Sequence, residues 1–183
     1  MKSEVKEKNN ESLLAIILIG LGLFVPAFFQ QLAFLGPNRQ LIIGTIVNAM
    51  LFTCAVKIND PKKIVALSVL PSISSMTTGI LFSGLTLYSK VMLPFIWLGN
   101  LALVFGVKYF TKKVKFIPAS VLSIVIKVSI IYGGFRLMSS LMNFPAKINT
   151  VFSTTFGITQ VYTATLGLLL FLTVKFVKKL RDE

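Results

Sequence analysis

Six long apolar runs, each closed by a short polar break, organise the whole chain. They extend roughly over Leu13–Leu35, Gln40–Val56, Ile64–Leu85, Val91–Phe110, Phe116–Met142 and Val151–Val177. A helix needs roughly 20 apolar residues to cross the ~30 Å hydrocarbon of a bilayer, so each run predicts one transmembrane helix. The second is short and draws on its flank, with Lys57 reaching back to the surface, while the last two are long enough to tilt. The breaks carry turn chemistry: Gly36-Pro37-Asn38-Arg39, Asn59-Asp60-Pro61-Lys62, Thr86 to Lys90, Thr111 to Lys115 and Asn143-Phe144-Pro145. Residues 1–12 then form an N-terminal tail, residues 13–177 one transmembrane domain and residues 178–183 a C-terminal tail. The first run is too long for the core of a cleaved signal and reads as a retained helix.

Composition agrees with this pattern. The chain is 55% hydrophobic and 14% charged, with a mean hydropathy of +0.82, outside the balance of a soluble domain. The expected fold is an all-α, polytopic membrane protein built as a six-helix transmembrane bundle. A net charge of +13 raises the question of nucleic acid, but the cations form no basic stripe and instead punctuate the apolar runs. They fall on alternate breaks: Lys2, Lys6 and Lys8; Lys57, Lys62 and Lys63; Lys108, Lys112, Lys113 and Lys115; Lys175, Lys178, Lys179 and Arg181. The other breaks hold only Arg39, Lys90 and Lys147. Since short basic loops resist translocation, this bias predicts cytoplasmic N and C termini in a multi-pass protein of the cell membrane.

The charged and reactive residues narrow the chemistry. All six acids, Glu4, Glu7, Glu11, Asp60, Asp182 and Glu183, lie on the expected cytoplasmic side and none lies in a span. Proton pumps and most cation-coupled carriers use embedded carboxylates, which argues against ion coupling. With no histidine and the single cysteine Cys54, neither a metal site nor an internal disulfide is expected. Gly79-Ile-Leu-Phe-Ser-Gly84 continues with Leu85-Thr86 where a phosphate loop needs Lys-Ser/Thr, so no nucleotide motor is present either. Intramembrane catalysis lacks an acidic pair or a serine with a base, so the chain is not expected to be an enzyme or to need a cofactor.

Two cations nevertheless fall inside the fifth run. Lys127 counts to mid-depth and Arg136 to the outer edge, and nine residues set them about 180° apart around a helix. Lys127 shares its face with Ser120, Ser123 and Gly134, and Arg136 with Ser129, Tyr132, Gly133 and Ser140. The same depth count places Gln30 and Gln31, Asn48, Thr77 and Thr78, Asn100 and Gln160 in the outer half or near the centre, so each helix contributes a polar group. Such residues also serve plain helix packing, at about 0.6–2 kcal/mol each. Together, with no carboxylate beside Lys127, they predict an electropositive outward cavity. Its expected contacts are Asn48, Thr78, Trp97, Asn100, Lys127, Arg136, Gln160, Gln31 and Tyr132, with Arg39 at the entrance and apolar walls from Phe29, Phe95, Phe135 and Tyr162.

The third run is rich in hydroxyls, with Ser68, Ser72, Ser74, Ser75, Thr77, Thr78 and Ser83 around Pro71, and these can satisfy carbonyls the proline frees. Ser75, Gly79 and Ser83 form a small-residue stripe suited to close helix approach. Pro26 and Pro94 predict further kinks.

Size, span number and topology, together with Ile46-Val47-Asn48-Ala49-Met50-Leu51, the Pro/Ser/Gly-rich third span and Leu93-Pro94-Phe95-Ile96-Trp97-Leu98-Gly99-Asn100, make the chain similar to the substrate-binding S components of energy-coupling factor transporters. Many such proteins carry an Ala-x-x-x-Ala pair in their first helix. Here that helix offers Ala15, Gly20, Gly22, Ala27 and Ala33 at other spacings. The resemblance implies a transmembrane coupling subunit and two cytoplasmic ATPases as partners, with this chain capturing a vitamin-like micronutrient outside. The expectation is a capture subunit for a small molecule of anionic or aromatic character. The alternative is a non-transporting assembly or regulatory subunit whose polar residues only pack helices.

Overall fold

The computed structural model describes residues 2–36, 38–77 and 86–182, with side chains described for all of these except 2–7, 33, 77, 86, 87 and 182. Every regular element among the described residues is helical: α1 (Lys2–Gln31), a 3₁₀ turn (Ala33–Leu35), α2 (Asn38–Lys57), α3 (Pro61–Thr77), α4 (Thr86–Lys90), α5 (Leu93–Phe110), α6 (Phe116–Leu141), α7 (Ala146–Phe156) and α8 (Ile158–Asp182). The molecule is an all-α membrane bundle. Among the described residues, five segments are long and apolar enough to cross a bilayer: Lys8–Gln31, Asn38–Lys57, Tyr88–Phe110, Phe116–Leu141 and Ala146–Arg181. The described part of the third span, α3, has 17 residues; Thr78, Gly79 and Ser83 lie outside the described residues.

The sixth run departs from the expected single helix. The chain breaks at Gly157, with φ −97° and ψ −103°, and α7 is a separate element beginning at Ala146. The cause is packing. Ile148, Phe152 and Phe156 all turn inward to join Phe135, Phe144, Ile131 and Met92 in an outer apolar cluster, a demand that a straight continuation of α8 could not meet. A Cβ at position 157 would stand 2.5 Å from the carbonyl oxygen of Ser153, so the break needs glycine. At 1.5 Å per residue the 11 residues of α7 cover only about 16 Å, too little to cross the hydrocarbon.

The long helices close into a ring in the order α1, α3, α5, α6, α8, α2, with α2 also touching α5 across the middle. Small residues set the tightest seams. Gly167 of α8 faces Asn48, Ala49 and Thr45 of α2, and Gly44 of α2 faces Thr163 of α8. Gly99 and Gly106 of α5 receive Ile131 and Ser123 of α6, and Gly134 of α6 receives the ring of Phe95. In lipid, where apolar burial offers little drive between helices, this close backbone approach gathers the dispersion contacts that hold them.

Two polar cross-links between helices lie close to the in-helix prolines Pro26 and Pro71. A proline removes the amide that would bond one turn back and tilts the carbonyls there outward. Three residues before Pro26, the Leu23 carbonyl accepts Ser74 Oγ from α3 at 2.6 Å. Three residues before Pro71, the Ser68 carbonyl accepts Asn100 Nδ2 from α5 at 2.9 Å. The amide of Asn100 thus takes part of the work expected of the α3 hydroxyls.

One end of the ring gathers the expected cytoplasmic breaks. There Glu11 Oε1 accepts the backbone N–H groups of Asn59 and Asp60 at 3.1 and 3.0 Å and lies 3.8 Å from Lys63 Nζ, while Lys108 Nζ donates to Asn59 Oδ1 at 3.1 Å. This half of the bundle is filled by a dry core including Leu51, Phe52, Leu103, Val104, Val107, Ile124 and Phe171.

The Gly167 seam gives a direct test. Gly167→Val would drive a side chain to within 2.9 Å of the Ala49 backbone nitrogen, and overpacking of this kind is expected to cost about 1–3 kcal/mol, read as a lowered thermal unfolding midpoint in detergent. Gly133→Val, where nothing lies within 4 Å of the new carbon, is expected to leave the midpoint nearly unchanged.

Candidate functional site

Above the dry core, in the half away from the two chain ends, the ring holds a cavity of about 130 Å³. Five elements supply most of its wall. Gln40, Ile43, Gly44, Val47 and Asn48 come from α2; Pro71, Ser72, Ser75 and Met76 from α3; Leu93, Ile96 and Asn100 from α5; Lys127 from α6; and Thr159, Gln160 and Thr163 from α8, with Ser89 and Phe156 completing it. Its volume is well below the roughly 300–1,000 Å³ of drug-sized sites, so it suits a small solute.

Lys127 forms the floor. The helical period sorts α6 as expected: Ala119, Ser120, Ser123, Ile124, Lys127, Ile131 and Gly134 are buried, whereas Ser129, Tyr132, Gly133, Arg136 and Ser140 are exposed. Lys127 is 2% exposed and donates from Nζ to Asn48 Oδ1 across the ring at 2.6 Å. Asn48 is fixed in turn by donating from Nδ2 to the Gly44 carbonyl at 2.7 Å and by Gly167 packed against its Cβ. Among the described residues no carboxylate pairs with Lys127.

The bonds drawn among these groups leave capacity facing the hollow. Lys127 spends one of its donors on Asn48, and Asn100 spends an amide hydrogen on Ser68 while its Oδ1 keeps its acceptor capacity. Gln160 makes only a long contact from Nε2 to the Thr155 carbonyl, at 3.4 Å. Ser72 is braced from behind, donating to the Val69 carbonyl at 2.7 Å while accepting Trp97 Nε1 at 2.7 Å. The result is a bowl with apolar sides from Ile43, Val47, Pro71, Leu93, Ile96 and Phe156, and a polar base that can both donate and accept.

Asn48, Asn100, Lys127 and Gln160 therefore meet in one cavity, and the other expected contacts do not. Trp97 stands behind Ser72 and contributes no wall. Arg136 is exposed on the opposite face of α6, and Tyr132 borders a separate shallow groove with Val128, Ser129 and Ser153. Gln31 is exposed at the end of α1, while its neighbour Gln30 is buried and donates to the Ser75 carbonyl at 3.0 Å. Helix α1 supplies no residue to the described wall; its polar contribution, Gln30, bonds to Ser75 of the neighbouring α3 instead.

Arg39 donates from Nη1 to the Gln30 carbonyl at 2.8 Å and from Nε to the Gly36 carbonyl at 3.0 Å, closing the turn between α1 and α2, and does not line the cavity. Thr78 lies outside the described residues. Of the expected aromatic walls, Phe135 belongs to the outer cluster, Phe95 fills the notch at Gly134, and Phe29 and Tyr162 do not line the hollow. Its one aromatic among the described residues is Phe156. Ser72, Ser75, Thr159, Thr163 and Gln40 complete the polar lining; the run of hydroxyls in the third span and the Thr-Gln pair at the start of α8 were the available signals. No family model matches the chain, and neither a curated protein nor a solved structure matches it.

The Lys127–Asn48 bond can be weighed by a double-mutant cycle. Asn48→Leu alone strands the lysine nitrogen and is expected to cost about 1.5–3 kcal/mol. Adding Lys127→Met should return most of that loss in detergent unfolding. Strict additivity of the two substitutions would show that the bond contributes nothing.

Proposed function

We propose that this chain is the substrate-capture subunit of an ATP-driven importer of the energy-coupling factor type. It would take up a small, carboxylate- or phosphate-bearing micronutrient from outside the cell membrane. The observation that carries the reading is the meeting of Asn48, Asn100, Lys127 and Gln160, from four different helices, in one cavity on the half of the bundle away from its basic end. An acid entering that cavity would supply the counter-charge that Lys127 does not find among the described residues, in a low-dielectric setting where such a pair is strengthened.

The mainly apolar core beneath the floor, with Leu51, Phe52, Leu103 and Val104, favours capture over conduction. Orientation follows the same logic: the lysine-rich end is assigned to the cytoplasm by the bias of its loops. Work must then come from elsewhere, since the spans hold no carboxylate for ion coupling and the chain has no phosphate loop. A coupling membrane subunit with two cytoplasmic ATPases would meet that need.

A second reading has one observation in its favour: the amides of Asn48 and Asn100 are spent on backbone carbonyls, as they would be in an assembly subunit with no ligand. Two experiments separate the readings. Gentle purification of the full complex, followed by mass spectrometry of retained small molecules and proteins, is expected to yield an acidic metabolite and ATPase subunits. With that metabolite as probe, Lys127→Ala is expected to weaken binding by roughly 100-fold, the loss of a charge-assisted bond of about 3 kcal/mol, while Arg136→Ala changes it little. Retention of neither metabolite nor ATPase would favour the assembly reading.

A further inference from the structure

At the basic end, on the opposite side of the dry core from the cavity, α1, α2 and α8 border a second hollow of about 710 Å³. Its walls are apolar, formed by Leu14, Val56, Phe171 and Val174. Its rim is cationic. Lys57 ends α2, and Lys175 and Lys178 stand one and two turns beyond Phe171 on α8. No acidic side chain occurs in its described lining. Lys175 is held at this level by the ring of Phe116, whose centroid lies 5.7 Å from its Nζ.

From this juxtaposition we infer a binding site for an anionic phospholipid. Its phosphate would sit among Lys57, Lys175 and Lys178, and an acyl chain would run inward along Val174, Phe171 and Leu14. Depth and charge select this occupant. The lysines sit where α2 and α8 leave the apolar span, at headgroup level, and the apolar walls continue from them toward the hydrocarbon, as a lipid does. A zwitterionic lipid would bring its own ammonium group to the cationic rim, whereas an anionic headgroup brings only the complementary charge. Val174 is 62% exposed, so the groove has a face that no other helix covers. The other basic hollow at this end is less suited, since its Lys108 already donates to Asn59.

The test uses the full chain in neutral detergent, titrated with phosphatidylglycerol or with phosphatidylcholine of the same acyl chains, and bound lipid counted by native mass spectrometry. Selective retention of phosphatidylglycerol is expected. Replacing Lys57, Lys175 and Lys178 together by Gln should weaken it by roughly tenfold or more, given the known attraction of each near-surface lysine to anionic lipid, whereas Lys112, Lys113 and Lys115 replaced by Gln should change it by less than about twofold. Val174→Trp, which fills the groove without altering charge, should also weaken retention. Equal retention of the two lipids, equal losses in the two triple variants, or competition by glycerophosphoglycerol as strong as by the intact lipid would overturn the site.

Discussion

A lysine placed at the middle of a bilayer decides what its neighbours must be. Moving such a side chain to the centre of a lone helix costs roughly 2.5–3.5 kcal/mol on insertion scales, and the cost is reduced only where protein or water supplies partners. Lys127 meets this constraint by crossing the ring to Asn48 and by standing at the base of a polar hollow. Much of the outer half follows from that requirement. Asn48 needs Gly44 and Gly167 to hold its orientation, α2 and α8 must therefore approach closely, and the space that remains beside them is the cavity.

The inner half obeys the opposite rule. Leu51, Phe52, Cys54, Leu103, Val104 and Val107 are almost completely buried, and they bring no polar side chain to the axis. One bundle thus contains a mainly apolar layer and a layer with a polar-lined hollow, divided at the level of Lys127. Side chains also tie neighbouring helices through backbone carbonyls: α3 holds α1 through Leu23, and α5 holds α3 through Ser68. In lipid, where polar groups need partners within the protein, such bonds favour these helices as neighbours.

The fold class and most of the spans could be read from hydropathy alone, because a 20-residue apolar run has few other solutions. The faces of α6 were also legible, since Lys127 and Arg136 stand nine residues apart and a rigid period sorts them. What periodicity could not supply was rotation relative to neighbours. Nothing in Gln31 against Gln30, or in Trp97 against Ser72, says which turns toward the ring axis; that depends on how α1 seats against α3 and α2 and on α5 leaning into α6 at Gly99 and Gly134. The break at Gly157 was hidden for a related reason. Hydropathy is blind to direction, and the residues on either side of the glycine are equally apolar whether the chain runs straight or turns. The backbone bonds of Arg39 were not legible either, because a cation near a helix end can serve the backbone as readily as a solute, and the positions of the Gln30 and Gly36 carbonyls are set by the fold.

Helix α8 runs for 25 residues, about 38 Å, without a break. Gln160 and Thr163 near its start border the outer cavity, and Lys175 and Lys178 near its finish border the inner groove. One continuous helix therefore lines both hollows, and its backbone fixes the distance between the polar residues of the first and the lysines of the second.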